Sequence, residues 1–122
     1  MSPPSDAPDR LLALQQELRA FVAERAWQPF HDPKNLAMAV ASEAGELVAL
    51  LRWVAGSEAD AFARSPEHGP KLRAEVADVA ISLLLLCDRA GIDLVDAVRD
   101  KLEVNRANYP VEASRGRAER PA

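Results

Sequence analysis

Two acidic pairs, Glu43-x-x-Glu46 and Glu75-x-x-Asp78, lie inside the two most apolar helix-forming stretches of the chain. Residues three apart on a helix project from one side of it, so each pair presents two carboxylates together. At about 100° per residue, Glu43 falls within the stripe of Leu36, Val40, Leu47, Leu51 and Val54. Glu75 falls beside Leu72, Val76, Val79 and Leu83, with Glu46 and Asp78 on the flanks. Two carboxylates about 5 Å apart repel by roughly 3 kcal/mol at an effective dielectric of ~20. Burial adds several kcal/mol per ion unless something compensates. A hard divalent cation does so, since magnesium takes oxygen ligands and keeps several waters. The other partners the sequence offers are Lys71, Arg73 and Lys101, which would make these acids ordinary paired or solvated helix residues.

The elements that must position the acids are helices, and the expected fold class is all-α, a four-helix-bundle-like domain. The first helix is expected from Asp9 to Ala26, where Leu11, Leu14, Leu18, Phe21 and Val22 recur at helical spacing. A loop follows at Trp27-Gln28-Pro29-Phe30-His31. Asp32 then reads as an N-cap with Pro33 at the first helical position. The second helix is expected to run to Ala55, with Gly56 as its C-cap. A short helix over Glu58–Arg64 precedes a third long one, Pro70–Ala90, closed by Gly91. Asp93 caps the last, which runs to Asn108 before Pro110 stops it. The ordered domain is thus expected over residues 9–110. Residues 1–8, rich in Pro and Ser, are expected to be a flexible head. Residues 111–122, polar with three arginines and no apolar period, are expected to be a disordered tail.

At 122 residues the chain suits one domain with a modest core. Its 15 basic and 19 acidic residues give a net charge of −4, and with the four clustered acids set aside the rest is nearly balanced. No Lys/Arg cluster marks a nucleic-acid surface. The longest apolar run, Val79–Cys87, is too short to span a bilayer, so no membrane partner is expected. The opening MSPPSDAPDR has no apolar signal core, and Cys87 alone makes no internal disulfide, so a cytoplasmic location is expected. Cys87, within a run of leucines, reads as a small core residue. From Val79 to Leu86 the third long helix is apolar almost all round and needs cover on nearly every side. A homo-oligomer, dimer or tetramer, provides it.

The spacing of the acids, E-x-x-E, 28 intervening residues, then E-x-x-D, resembles the MazG-like all-α nucleoside triphosphate pyrophosphatase superfamily. The likeness extends along residues 10–112. Trp27-Gln28-Pro29-Phe30-His31-Asp32-Pro33-Lys34-Asn35-Leu36 resembles the substrate-loop entry of the dCTP pyrophosphatase branch. Ser42-Glu43-Ala44-Gly45-Glu46-Leu47, with Trp53 following, resembles its first metal-binding motif, and Glu75-Val76-Ala77-Asp78-Val79 its second. Lys101-Leu102-Glu103-Val104-Asn105-Arg106-Ala107-Asn108-Tyr109-Pro110 resembles its K-x-x-x-N-R-x-x-Y-P helix end. The resemblance implies hydrolysis of a nucleoside triphosphate between the α and β phosphates, dCTP or a related pyrimidine deoxynucleotide, in control of the nucleotide pool. It implies Mg2+, with Mn2+ as a substitute, on Glu43, Glu46, Glu75 and Asp78. It also implies a nucleoside pocket from Trp27, Phe30, His31 and Trp53, partly across a subunit interface. Ser82 stands where members of that branch often place a tyrosine, which implies a larger pocket or altered packing of base or sugar.

Phosphoryl chemistry on a triphosphate needs charge neutralisation and an in-line nucleophile, and no glycine-rich phosphate loop is present to supply the first. A carboxylate not fully used by metal can take a proton from water. Glu43 and Glu46 are the candidates for this catalytic role, and the sequence does not choose between them. Lys101 and Asn105, one turn apart, can grip phosphates from one helix face, or be a surface lysine and a C-terminal cap. Tyr109 can line the same site or pack the last turn beneath Pro110. Trp53 lies seven residues after Glu46 and so, on a continuous helix, on its side, where an indole can stack on a base. Di-iron carboxylate bundles need Glu-x-x-His motifs, and neither acidic motif contains histidine. A non-catalytic interaction or regulatory module with a vestigial metal site is the remaining alternative; loss of a ligand would mark it.

Overall fold

The computed structural model describes residues 7–121; the expected flexible head lies outside the described residues except at its end, where Ala7 and Pro8 are already helical. The elements are α1 (Ala7–Glu24), a 3-10 turn (Gln28–Phe30), α2 (Pro33–Leu51), a second 3-10 turn (Gly56–Glu58), α3 (Ala59–Arg64), α4 (Gly69–Ala90), α5 (Leu94–Asn108) and α6 (Val111–Ser114). No strand occurs among the described residues, and the chain is all-α as its periodicity predicts. Two compact units divide it, the first through Gly91 and the second from Ile92. Among the described residues no helix is long and apolar enough to cross a membrane.

Local chemistry accounts for most helix ends. The Asp32 carboxylate accepts from the Asn35 amide at 2.8 Å, and Pro33 opens α2 without wasting a donor. Asp93 caps α5 in the same way, accepting from the Asp96 amide at 3.0 Å. Gly91 closes α4 in the left-handed conformation, φ 69°, ψ 33°, which glycine adopts without a Cβ penalty. Ala26 adopts φ 53° at the corresponding position after α1, and the Trp27 amide reaches back to the Val22 carbonyl at 3.1 Å.

Three expectations need correction. The second helix does not reach Ala55. It ends at Leu51, the Val54 amide folds back to the Leu51 carbonyl at 2.9 Å, and Ala55 is extended at φ −63°, ψ 141°. Gly56 therefore opens a 3-10 turn and lacks the left-handed backbone of a C-cap. The expected loop at Trp27–His31 contains a 3-10 turn, closed by the Phe30 amide on the Trp27 carbonyl at 2.9 Å and the His31 amide on the Gln28 carbonyl at 3.1 Å. Within the expected tail, α6 forms a single turn after Pro110, whose fixed φ suits a helix start.

In the first unit α4 is the central helix. It packs chiefly along α2 and also touches α1 and α3. Val22, Leu36, Leu84 and Cys87 form the buried core where α1, α2 and α4 meet. Cys87 is a free thiol, buried as expected, and burial raises its pKa. A connection missed in the sequence joins α3 to the start of α4. His68 stacks on Phe62 with ring centroids 4.2 Å apart, its amide donating to Ser65 Oγ at 3.0 Å. His68 is thus a packed residue of this connection.

Candidate metal centre and adjoining cavity

The pairing of α2 with α4 brings the acids together. Carboxylate oxygens of Glu43, Glu75 and Asp78 lie within 4.8 Å of one another. Glu43 and Glu75 are half-buried and Asp78 is exposed, as their stripe and flank positions predict. Glu46 is exposed and lies outside this trio, although its charge reaches Glu75. Among the described residues of the first unit no cation forms a salt bridge with any of the four acids, so neither Lys71 nor Arg73 pairs with them. The Glu75 carboxyl is held above its usual range, first by burial and then by the charges of Asp78, Glu46 and Glu43. An all-oxygen donor set of converging, uncompensated carboxylates fits a hard divalent cation such as magnesium or manganese.

A cavity of about 400 Å³ opens between α1 and α4. Leu14, Leu18, Phe21 and Val22 of α1 face Ile81 and Leu85 of α4 across it, and Trp27 and His31 close one side. Glu17 also lines it. Ile81 follows Asp78 by three residues and Leu85 by seven, so on α4 the cavity wall starts about 4.5 Å further along the axis and extends to about 10.5 Å. The Trp27 indole packs edge-on against Phe21, centroids 5.7 Å apart, and is tilted against His31 at 6.3 Å. Arg25 lies over the other ring of this group, 3.7 Å from the Phe21 centroid. Ser82, 9% exposed, is buried on α4 next to Ile81.

Of the residues expected to bind substrate, Trp27 and His31 come together on this cavity. Phe30 does not line it: the ring is 66% exposed, and its backbone carbonyl accepts from Asn35 Nδ2 at 3.1 Å. Trp53 does not line it either. Because α2 stops at Leu51, the argument that placed Trp53 on the helical side of Glu46 fails; the indole is 85% exposed, with the Arg52 guanidinium 5.2 Å from its ring. Lys101 and Asn105 stand one turn apart on α5 in the second unit, and the Tyr109 amide ends that helix by donating to the Asn105 carbonyl at 2.7 Å. The cavity residues Glu17 and Phe21 were missed. Their signal was the spacing of Leu14, Glu17, Leu18 and Phe21, which sets an acid within the inward stripe of α1.

Two ties hold the cavity walls. Arg19 on α1 makes a two-pronged salt bridge with Asp88 on α4. Arg89, next on α4, donates from Nη1 to the Gln28 carbonyl at 2.9 Å.

The chain is 41% identical over 117 residues to dCTP pyrophosphatase 1 of Rattus norvegicus, a match covering 95% of this chain and 69% of the rat protein. It is 43% identical over 98 residues to dCTP pyrophosphatase 1 of Mus musculus, covering 80% of this chain and 58% of the mouse protein. For dCTP pyrophosphatase 1 of Homo sapiens the figures are 40% over 95 residues, 78% of this chain and 56% of the human protein. The chain thus spans little more than half the length of the mouse and human relatives. A crystal structure of a pyrophosphatase from Archaeoglobus fulgidus DSM 4304 has the same fold, with TM-score 0.74 and 34% identity over 90% of this chain and 98% of the archaeal one. No protein-family model matches the sequence. Together with the acid motifs and the all-α architecture, these relatives show that the chain belongs to the MazG-like all-α nucleoside triphosphate pyrophosphatases, on the dCTP pyrophosphatase branch.

Proposed function

We propose that the chain hydrolyses a deoxynucleoside triphosphate, dCTP or a related pyrimidine nucleotide, to the monophosphate and pyrophosphate, and so controls the nucleotide pool. The observation that carries this reading is the convergence of Glu43, Glu75 and Asp78 from two helices, with oxygens within 4.8 Å and no cation among the described residues paired to them. Those three residues would hold Mg2+, or Mn2+ in its place. A divalent ion bound there supplies charge neutralisation for the triphosphate oxygens.

Glu46, outside the trio and one turn along α2 from Glu43, is the carboxylate free to accept the proton of the attacking water. As the water oxygen bonds to the α phosphorus, the bond from that phosphorus to the bridging oxygen breaks, and pyrophosphate leaves with the electron pair. Trp27 and His31 border the apolar cavity that would take the base, and its α4 wall, Ile81 and Leu85, follows Asp78 on the same helix. Trp53 and Phe30, exposed in the single chain, would reach the nucleoside only as surface groups. From the helix-end motif, Lys101 and Asn105 are assigned to gripping phosphate and Tyr109 to substrate binding.

Two further parts of the reading have separate support. Val76, Ile81 and Leu83 of α4 are exposed in the single chain, with Val76 at 51%, which favours burial in a homo-oligomer. The single cysteine, a free thiol, supports a cytoplasmic location. The non-catalytic alternative finds no support in the centre, which retains all four acids. The deciding experiment incubates the purified protein with magnesium and a panel of nucleoside triphosphates and detects pyrophosphate. Release from dCTP or another pyrimidine deoxynucleotide is expected; a folded protein that releases none from any nucleotide refutes the reading.

A further inference from the structure

We propose that Glu17 is a specificity-determining residue of the α1–α4 cavity: its carboxylate accepts a hydrogen bond from the exocyclic amino group of the base. This rests on the reading of that cavity as the base pocket. Leu14, Glu17, Leu18 and Phe21 form one helical stripe of α1, and all four line the cavity. Glu17 is an exposed acid on the cavity lining, and among the described residues no cation pairs with it. The two arginines nearest in the lining of the adjoining smaller cavity are engaged elsewhere, Arg19 with Asp88 and Arg89 with the Gln28 carbonyl. The carboxylate is therefore left to whatever enters.

The remaining lining narrows what that is. Beyond Glu17, the cavity offers polar side-chain atoms only from His31 and from Trp27, whose indole N–H donates and never accepts. An ionised carboxylate accepts only. Facing a base, it satisfies an amino group and opposes a carbonyl oxygen. Cytosine and uracil have the same ring size and differ along one edge, at C4 (amino against carbonyl) and at N3 (bare acceptor against N–H), and a carboxylate set at C4 reads the first of these differences. Glu17 thus favours the amino-bearing pyrimidine and disfavours its carbonyl counterpart, where apolar walls alone would treat the two alike.

The test compares kcat/KM for dCTP and dUTP in the full chain with magnesium, for the native protein, Glu17→Gln and Glu17→Leu. The native protein is expected to prefer dCTP by about tenfold or more, the scale of one hydrogen bond gained against one opposed. Glu17→Gln, which keeps an acceptor but adds a donor, is expected to lower that preference through a gain on dUTP. Glu17→Leu is expected to lower it through a loss on dCTP. Calorimetric titration with Mn2+ should be the same in all three, which excludes a disturbed acid centre as the cause. Native protein without the preference, or a ratio unmoved within twofold in both variants, overturns the proposal while leaving the reaction in place. No pyrophosphate from any nucleotide overturns the reaction itself, and the assignment of Glu17 with it.

Discussion

Arg89 donates to the Gln28 carbonyl at 2.9 Å and so fastens the last turn of α4 to the turn that carries Trp27 and His31. The same helix bears Glu75 and Asp78 in its first half. One rigid element thereby fixes both the acid cluster and the aromatic side of the cavity.

Arg89→Ala is accordingly expected to cost about 1 kcal/mol or less in urea unfolding, since the bond is exposed. Its larger effect is expected on the turn, with faster hydrogen exchange at the Phe30 and His31 amides and a raised KM at near-native kcat. Arg89→Lys, which keeps a donor, should restore part of the protection. Native exchange rates in Arg89→Ala would show that the bond does not hold the turn.

For the acid centre, Glu43→Gln and Asp78→Asn are expected to abolish turnover and weaken Mn2+ binding in calorimetry. Their melting temperatures without metal should equal or exceed that of the native protein, because each removes one charge from three converging carboxylates. A marked fall in the metal-free melting temperature would instead show the acids holding the fold.

The Glu75 carboxyl, raised by its half-buried position and then by Asp78, Glu46 and Glu43, binds its proton more tightly folded than unfolded. Its contribution therefore favours the folded state below the ordinary carboxylate range and is lost as pH rises through the raised folded value. Metal-free protein should melt higher as pH falls from neutral into that window, and Glu75→Gln should flatten this slope. Divalent metal, which needs the deprotonated ligand, should bind more tightly as pH rises. Identical slopes for the native and Glu75→Gln proteins would count against this assignment.

Trp53, 85% exposed beyond the end of α2, contributes little packing. Trp53→Ala should leave stability within about 0.5 kcal/mol, so that any rise in KM reports contact with the nucleotide. Trp27→Ala removes the edge-on contact with Phe21 as well and should cost both stability and affinity. If Trp53→Ala destabilises as much as Trp27→Ala, Trp53 is packed in solution against a surface absent from the single chain.

Ala26 holds φ 53°, a conformation that costs an L-residue about 1 kcal/mol and glycine almost nothing. Ala26→Gly gives some of this back through a more flexible unfolded chain. A net gain of about 0.5 kcal/mol is expected in thermal unfolding, and a loss would mean that the turn after α1 differs in solution.

What the sequence by itself determined is what depends on near neighbours. Helical periodicity, the Asp32 and Asp93 caps, the left-handed Gly91 and the same-side acid pairs each involve residues within about a turn of each other, and all were legible. So was the family, because its acid motifs recur at a fixed spacing. Tertiary structure decided what depends on two helices meeting. It chose Glu43, Glu75 and Asp78 as the converging trio and left Glu46 beside it, since the relative rotation and register of α2 and α4 follow from how whole faces pack. It opened the cavity that turns Glu17, one exposed acid on α1, into a polar group among apolar walls. It also stopped α2 four residues early and moved Trp53 off the helix, because the Val54 turn and extended Ala55 lead the chain away toward α3. Local spacing sets which side of a helix a residue occupies; only the packed partner sets what that side faces.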